Sequence, residues 1–103
     1  MSSTTEYRDR IYIREDILLK LMEYRELNQT ALLSYCGLNL QKHKSMLDEM
    51  ESKGLISKSE EFRGKKKVLI YRITEAGVAF CKRILQPYEA MFPRITGKSS
   101  TVT

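Results

Sequence analysis

The sequence predicts a mainly helical α+β domain: three helices, a β-hairpin and one additional C-terminal helix. Three observations predict it. Apolar residues recur at three- and four-residue steps through the first half of the chain, the mark of helices that bury one stripe. Between Leu55 and Ile73 the apolar period drops to two, with Gly64 between the two runs. From Val78 onward the steps return to 3, 4, 3 and 4. At 103 residues the chain has room for one domain and not two.

Taken in order, residues 1–6 are small and polar and are expected to be disordered. The first helix covers about Asp9 to Tyr24, with Ile13, Ile17, Leu18, Leu21 and Met22 as its stripe. Arg25 to Leu27 leaves room for a very short strand. Asn28 or Thr30 caps a second helix, Gln29 to Cys36, because a short polar side chain accepts from the free amides of a first turn. Ala31, Leu32 and Tyr35 point one way on it, and Gly37 ends it. Asn39 caps a third helix, Leu40 to Lys53, whose inward positions read Leu40, His43, Leu47 and Met50. Two helices joined by a glycine-containing turn form a helix-turn-helix pattern. The hairpin follows, with strands from Leu55 to Ser59 and from Lys67 to Ile73 and a loop between them. Residues 7–74 make up this unit.

Thr74 caps the last helix, which occupies residues 75–93. Val78, Cys81, Leu85, Tyr88 and Phe92 form a heptad seam along it. A seam this apolar needs cover. Self-association into a homodimer supplies it, and packing on the first helix of the same chain is the alternative. Pro87 lies inside this helix, removes a backbone hydrogen bond and is expected to kink or break it. Residues 94–103 read as a disordered polar tail.

Composition narrows the function. No apolar run approaches the ~18 residues of a membrane span. The polar start lacks the apolar run of a secretory signal, so a cytoplasmic protein is expected. Cys36 and Cys81 stand apart from each other and from any metal-binding spacing, so neither a metal nor a disulfide is expected. There is no glycine-rich phosphate loop and no nucleophile with a base, so no enzyme, cofactor or small-molecule substrate is expected. The formal charge is +5, and its placement matters more than its size. Residues 62–73 hold five basic residues and no acidic one, whereas residues 47–61 are net acidic. Such segregation suggests one face aimed at a polyanion.

The residues that could meet double-stranded DNA follow from this pattern. The N-terminal half of the third helix offers Gln41, Lys42, Lys44 and Ser45, types that pair with base edges in a major groove. The hairpin offers Arg63, Lys65, Lys66 and Lys67, suited to phosphates or to a narrow minor groove. Thr30 and Ser34 on the second helix, and Arg8, Arg10 and Arg14 on the first, could add backbone contacts. His43, the single histidine, is read as a core residue. Phe62 and Tyr71 are read as packing and hairpin residues rather than base-stacking platforms.

Three motifs carry a resemblance: Cys36-Gly37-Leu38-Asn39 before the third helix, Lys53-Gly54-Leu55-Ile56 into the hairpin, and Tyr71 to Gly77 (Y-x-I-T-x-x-G) out of it. Together they resemble the small archaeal winged helix-turn-helix DNA-binding proteins, over roughly Arg10 to Phe92. The resemblance implies a transcription regulator or chromatin-associated protein, nucleoid-associated and dimeric through its C-terminal helix. Two departures stand out: His43 occupies a position such families give to an apolar residue, and Pro87 interrupts a helix that is uninterrupted in the coiled-coil relatives. A second reading remains, in which the same fold serves as a protein–protein interaction module without DNA.

Overall fold

The computed structural model describes residues 9–94. The expectations for residues 1–6 and for the tail beyond Arg94 lie outside these residues, as does Arg8. Helix α1 (Arg10–Tyr24) leads into β1 (Glu26–Asn28), α2 (Gln29–Cys36) and α3 (Leu40–Ser52). Strands β2 (Ile56–Arg63) and β3 (Lys66–Ile73) form the hairpin, and a helical run from Glu75 to Met91 closes the domain. The three strands make one antiparallel sheet in the order β1-β3-β2. This is a winged helix fold, as the sequence patterning predicts.

Local capping explains the helix starts. Asn28 Oδ1 accepts from the Ala31 amide at 2.8 Å, so Asn28 and not Thr30 caps α2. Asn39 Oδ1 accepts from the Lys42 amide at 3.0 Å, and Thr74 Oγ1 accepts from the Gly77 amide at 3.0 Å. Each cap satisfies a donor that the helix itself leaves unpaired.

The core gathers one face of each of the first three helices. Ile13, Ile17, Leu18 and Leu21 of α1 meet Leu32, Leu33 and Cys36 of α2 and Met46, Leu47 and Met50 of α3. Ile56 and Tyr71 close it from the sheet, and Cys81 and Leu85 from the C-terminal run. Two sequence assignments change here. Tyr35 of α2 and Leu40 of α3 are exposed, and Leu33, Cys36 and Met46 are buried instead. A short helix leaves its phase loosely set by spacing alone, and the neighbours decide which stripe turns inward. His43 is half-buried, and its Nδ1 accepts from the Asn39 amide at 3.1 Å, which ties the ring to the start of its own helix.

The hairpin is longer than the alternation suggests. Residues Glu60 to Arg63, expected in a loop, continue β2, and Arg63 pairs directly with Lys66. Only Gly64 and Lys65 turn the chain. Gly64 has φ 68°, and Lys65 has no positive φ. A positive φ at the first central position alone is the pattern of a type II′ turn, whose twist matches the flanking strands.

The exit from the hairpin explains the threonine and glycine of the Tyr71 to Gly77 motif. The Thr74 hydroxyl lies 2.6 Å from the Gly54 carbonyl and 3.0 Å from that of Leu55, and the Thr74 amide donates to Leu55 at 3.2 Å. Helix α4 therefore starts flush against the entry of β2. A Cβ on Gly77 would stand 2.1 Å from the Leu55 carbonyl oxygen. No side chain fits there.

The C-terminal run stays continuous past Pro87. It passes from α4 (Glu75–Phe80) through a π-helical turn (Cys81–Leu85) into α5 (Gln86–Met91). The Gln86 amide donates to the Cys81 carbonyl, five residues back. Widening the turn ahead of a proline accommodates its ring and its missing donor without breaking the helix.

Candidate nucleic-acid interface

Helix α3 presents Gln41, Lys42, Lys44 and Ser45 to solvent, all on its N-terminal half. Its acidic half is occupied with holding the helix in place. Glu49 accepts from Arg14 of α1 at 2.6 Å, and this hydrogen bond holds its carboxyl below the usual carboxylate range. Asp48 takes Lys44 at 3.0 Å on one oxygen and Lys58 of β2 at 3.9 Å on the other, and Glu51 takes Lys58 at 3.5 Å. The hydrogen bond to Asp48 raises the Lys44 pKa. The row Lys44, Asp48, Glu51 therefore runs along the hairpin face that carries Lys58.

Strand alternation sorts the rest of the hairpin. Lys58, Glu60 and Phe62 of β2 share that face with their partners Tyr71, Leu69 and Lys67 of β3. Tyr71 is buried, and its hydroxyl accepts from Gln29 at 3.3 Å, so its role is packing. The opposite face carries a compact ionic network. Arg72 meets Glu26 at 2.5 Å and Glu61 at 3.1 Å, and Arg63 meets Glu26 at 3.3 Å and Glu61 at 3.0 Å. The Ser59 hydroxyl and then Arg72 hold the Glu61 carboxyl low, and the hydrogen bond to Glu26 raises the Arg72 pKa.

The four basic residues singled out in the hairpin thus fall into two pairs. Arg63 belongs to this network, and Lys67 pairs with Glu60 at 3.4 Å. Lys65 and Lys66 stand exposed at the turn and form no ion pair among the described residues. Thr30 and Ser34 are exposed on α2. Arg14, a candidate backbone contact, is half-buried on Glu49. Arg10 is exposed.

The C-terminal seam divides as well. Cys81 and Leu85 are 0% and 1% exposed and pack in the core of this chain, and Val78 is half-buried. Tyr88 and Phe92 remain exposed, their rings tilted against each other with centres 5.2 Å apart, and Tyr88 also meets Tyr12 at 6.0 Å. Burial lifts the Cys81 thiol to about 11.

Sequence reading missed one cluster entirely. Arg94, assigned to the tail, folds back on α1 and pairs with Glu89 at 2.7 Å, Asp16 at 3.1 Å and Glu15 at 3.3 Å. Its guanidinium lies 4.9 Å from the centre of the Tyr12 ring, and the Tyr12 hydroxyl donates to the Phe92 carbonyl. Glu15 is the one buried charged residue among those described. The signal available was a glutamate on the apolar side of α1 facing an arginine near the chain end.

Among the described residues no group of three or more histidine, cysteine, aspartate or glutamate side chains is placed to hold a metal ion. No described helix is long and apolar enough to cross a membrane.

Solved structures share this fold. A cysteine-to-serine mutant of MarR from E. coli aligns over 77% of this chain and 57% of its own, with 20% identity and a TM-score of 0.64. Overoxidized AbfR bound to DNA aligns over 80% of this chain and 60% of its own, with 20% identity and a TM-score of 0.65. Reduced AbfR bound to DNA aligns over 87% and 62%, with 19% identity and a TM-score of 0.58. The chain spans about three-fifths of the length of each of these. No curated protein matches it. Residues 7–91 match the sequence family described as winged helix-turn-helix, and the chain belongs to that family.

Proposed function

We propose that the protein binds double-stranded DNA as a transcription regulator or chromatin-associated protein and catalyses no reaction. In this reading α3 enters the major groove by its N-terminal end, with Gln41, Lys42, Lys44 and Ser45 toward the bases. Lys65 and Lys66 meet phosphates or the rim of the minor groove, and Thr30 hydrogen-bonds backbone. The observation that carries the reading is how the charges are distributed. The acids of α3 and both acids of the hairpin, Glu60 and Glu61, are consumed by internal ion pairs, with Arg14, Lys44, Lys58, Arg63, Lys67 and Arg72. Lys42, Lys65 and Lys66 are left without an ion pair among the described residues. Uncompensated cations beside a groove-sized helix are what a duplex recognises. The DNA-bound state of both AbfR structures is in keeping with this.

The finer reading is a nucleoid-associated homodimer of the archaeal type, joined through the surface of the C-terminal helix that Tyr88 and Phe92 leave exposed. Two copies would contact ~8 phosphates in all. The test is a titration of a labelled random-sequence duplex over a salt series, with the mass of the free protein measured alongside. Binding should weaken linearly in log salt, by about 0.9 log units per phosphate contacted. Joint charge reversal of Lys42, Lys65 and Lys66 should abolish it. A folded wild-type protein with no affinity at low salt would remove the DNA reading and favour a protein-interaction module.

A further inference from the structure

Phe62 has no structural reason to be aromatic. On its face of the hairpin, exposure climbs from the base to the turn. Ile56 is 2% exposed, Lys58 reaches back to α3, and Phe62 is 71% exposed. At ~3.3 Å per residue the ring stands ~13 Å beyond Lys58 along the strand, one pair short of the turn-flanking residues. It contacts no other ring among the described residues, and it takes no part in the core. Leaving a phenyl group in water gains nothing for the fold.

Its surroundings narrow what could cover it. Lys67 is its cross-strand partner, and the two unpaired cations lie just beyond, Lys65 in the turn and Lys66 opposite Arg63 at the start of β3. Glu60 on the same face is held by Lys67. An apolar ring on the side of the hairpin turned toward α3, with free cations at the adjoining tip, fits a surface with apolar walls and anionic rims. The minor groove of DNA is such a surface: its sugars and base edges are lined by phosphates, and apolar side chains there wedge between base steps.

We propose that Phe62 is the residue by which the wing engages the minor groove, wedging its ring at a flexible base step while Lys65 and Lys66 hold the flanking phosphates. This rests on the DNA-binding reading above and adds to it a source of sequence preference. Pyrimidine–purine steps unstack most easily, so a TA step beneath the wing is favoured over a GC-rich one. The ring selects by deformability rather than by hydrogen bonds.

The experiment uses the full chain and duplexes carrying 2-aminopurine beside a TA step or within a GC-rich stretch. The wild-type protein should raise 2-aminopurine fluorescence at the TA step and bind that duplex more tightly. Phe62→Ala should lose the fluorescence rise and about tenfold in affinity for the TA duplex, equivalent to about 1.4 kcal/mol. Its salt slope should not change, since no phosphate contact is lost. Phe62→Leu should recover part of both signals, because a wedge needs only an apolar body. Circular dichroism confirms folding of each variant. Unchanged fluorescence and affinity in Phe62→Ala overturn the role of the ring while leaving DNA binding intact. A wild-type protein that binds neither duplex overturns both readings together.

Discussion

Arg94 and Glu15 meet at 3.3 Å across almost the whole length of the described chain, one from beyond the last helix and the other from within the first. The glutamate is buried, and desolvation first, then the hydrogen bond with Glu89, push its carboxyl up to about 7. Glu89 is held low by Arg94. The two carboxyls are pushed in opposite directions, Glu15 up by burial and Glu89 down by the guanidinium it faces, with Asp16 close by.

This arrangement makes stability depend on pH near neutrality. The folded-state pKa of Glu15 lies above its ordinary value of 4.5, so the fold binds the proton more tightly than the unfolded chain does. The contribution of Glu15 to stability is full below that ordinary value and is lost as pH rises through about 7, as the buried group is forced to ionise. Thermal denaturation of wild type should show this decline. Glu15→Gln should flatten it and gain about 1–2 kcal/mol over wild type at pH 8. A wild-type profile that is flat through this window would contradict the assignment.

The two classes of wing cation should behave differently. Lys65→Ala and Lys66→Ala should each reduce the slope of log affinity against log salt by about 0.9, one phosphate apiece, with little effect on melting. Arg63→Ala should change the slope less, because its guanidinium is committed to Glu26 and Glu61. Equal slopes for all three variants would show that the ionic network opens to free Arg63 for the duplex.

Gly77 and Gly64 make a contrasting pair. Alanine at Gly77 places a methyl group 2.1 Å from a backbone oxygen that also receives Thr74. The start of α4 must then shift off β2, and a loss of about 3 kcal/mol or more is expected in denaturant unfolding. Alanine at Gly64 meets nothing within 4 Å and suffers only its left-handed φ of 68°, a cost of about 1 kcal/mol. The reverse ranking would refute the flush docking of α4.

The divided seam gives a fourth test. Leu85→Ala empties a site that is 1% exposed and should cost about 2–5 kcal/mol in the monomer. Phe92→Ala removes a ring that is 58% exposed and should leave melting within about 1 kcal/mol of wild type. If the exposed aromatic pair joins two copies, sedimentation should show the Phe92 variant shifted to monomer. An unshifted mass would mean that the pair faces solvent or another partner.

What the sequence alone determined is everything set by neighbours along the chain. The caps at Asn39 and Thr74, the glycine turn at Gly64 and the order of helices and strands follow from local hydrogen bonding and periodicity and could be read directly, whereas the choice of Asn28 over Thr30 as the cap of α2 could not. The exposed half of α3 was equally legible, since Gln41, Lys42, Lys44 and Ser45 cluster where no apolar stripe can bury them. Only the tertiary structure decided which charges remain free and which apolar groups remain exposed. Arg63 and Lys65 are nearly indistinguishable in one dimension, and separate only when β1 brings Glu26 beside the hairpin. Leu85 and Phe92 lie on the same heptad seam, and separate only when α1 packs on the upper part of the terminal helix. The physical reason is the same in both cases: ion pairing and burial depend on distances through space, which residue spacing does not fix once the chain has turned.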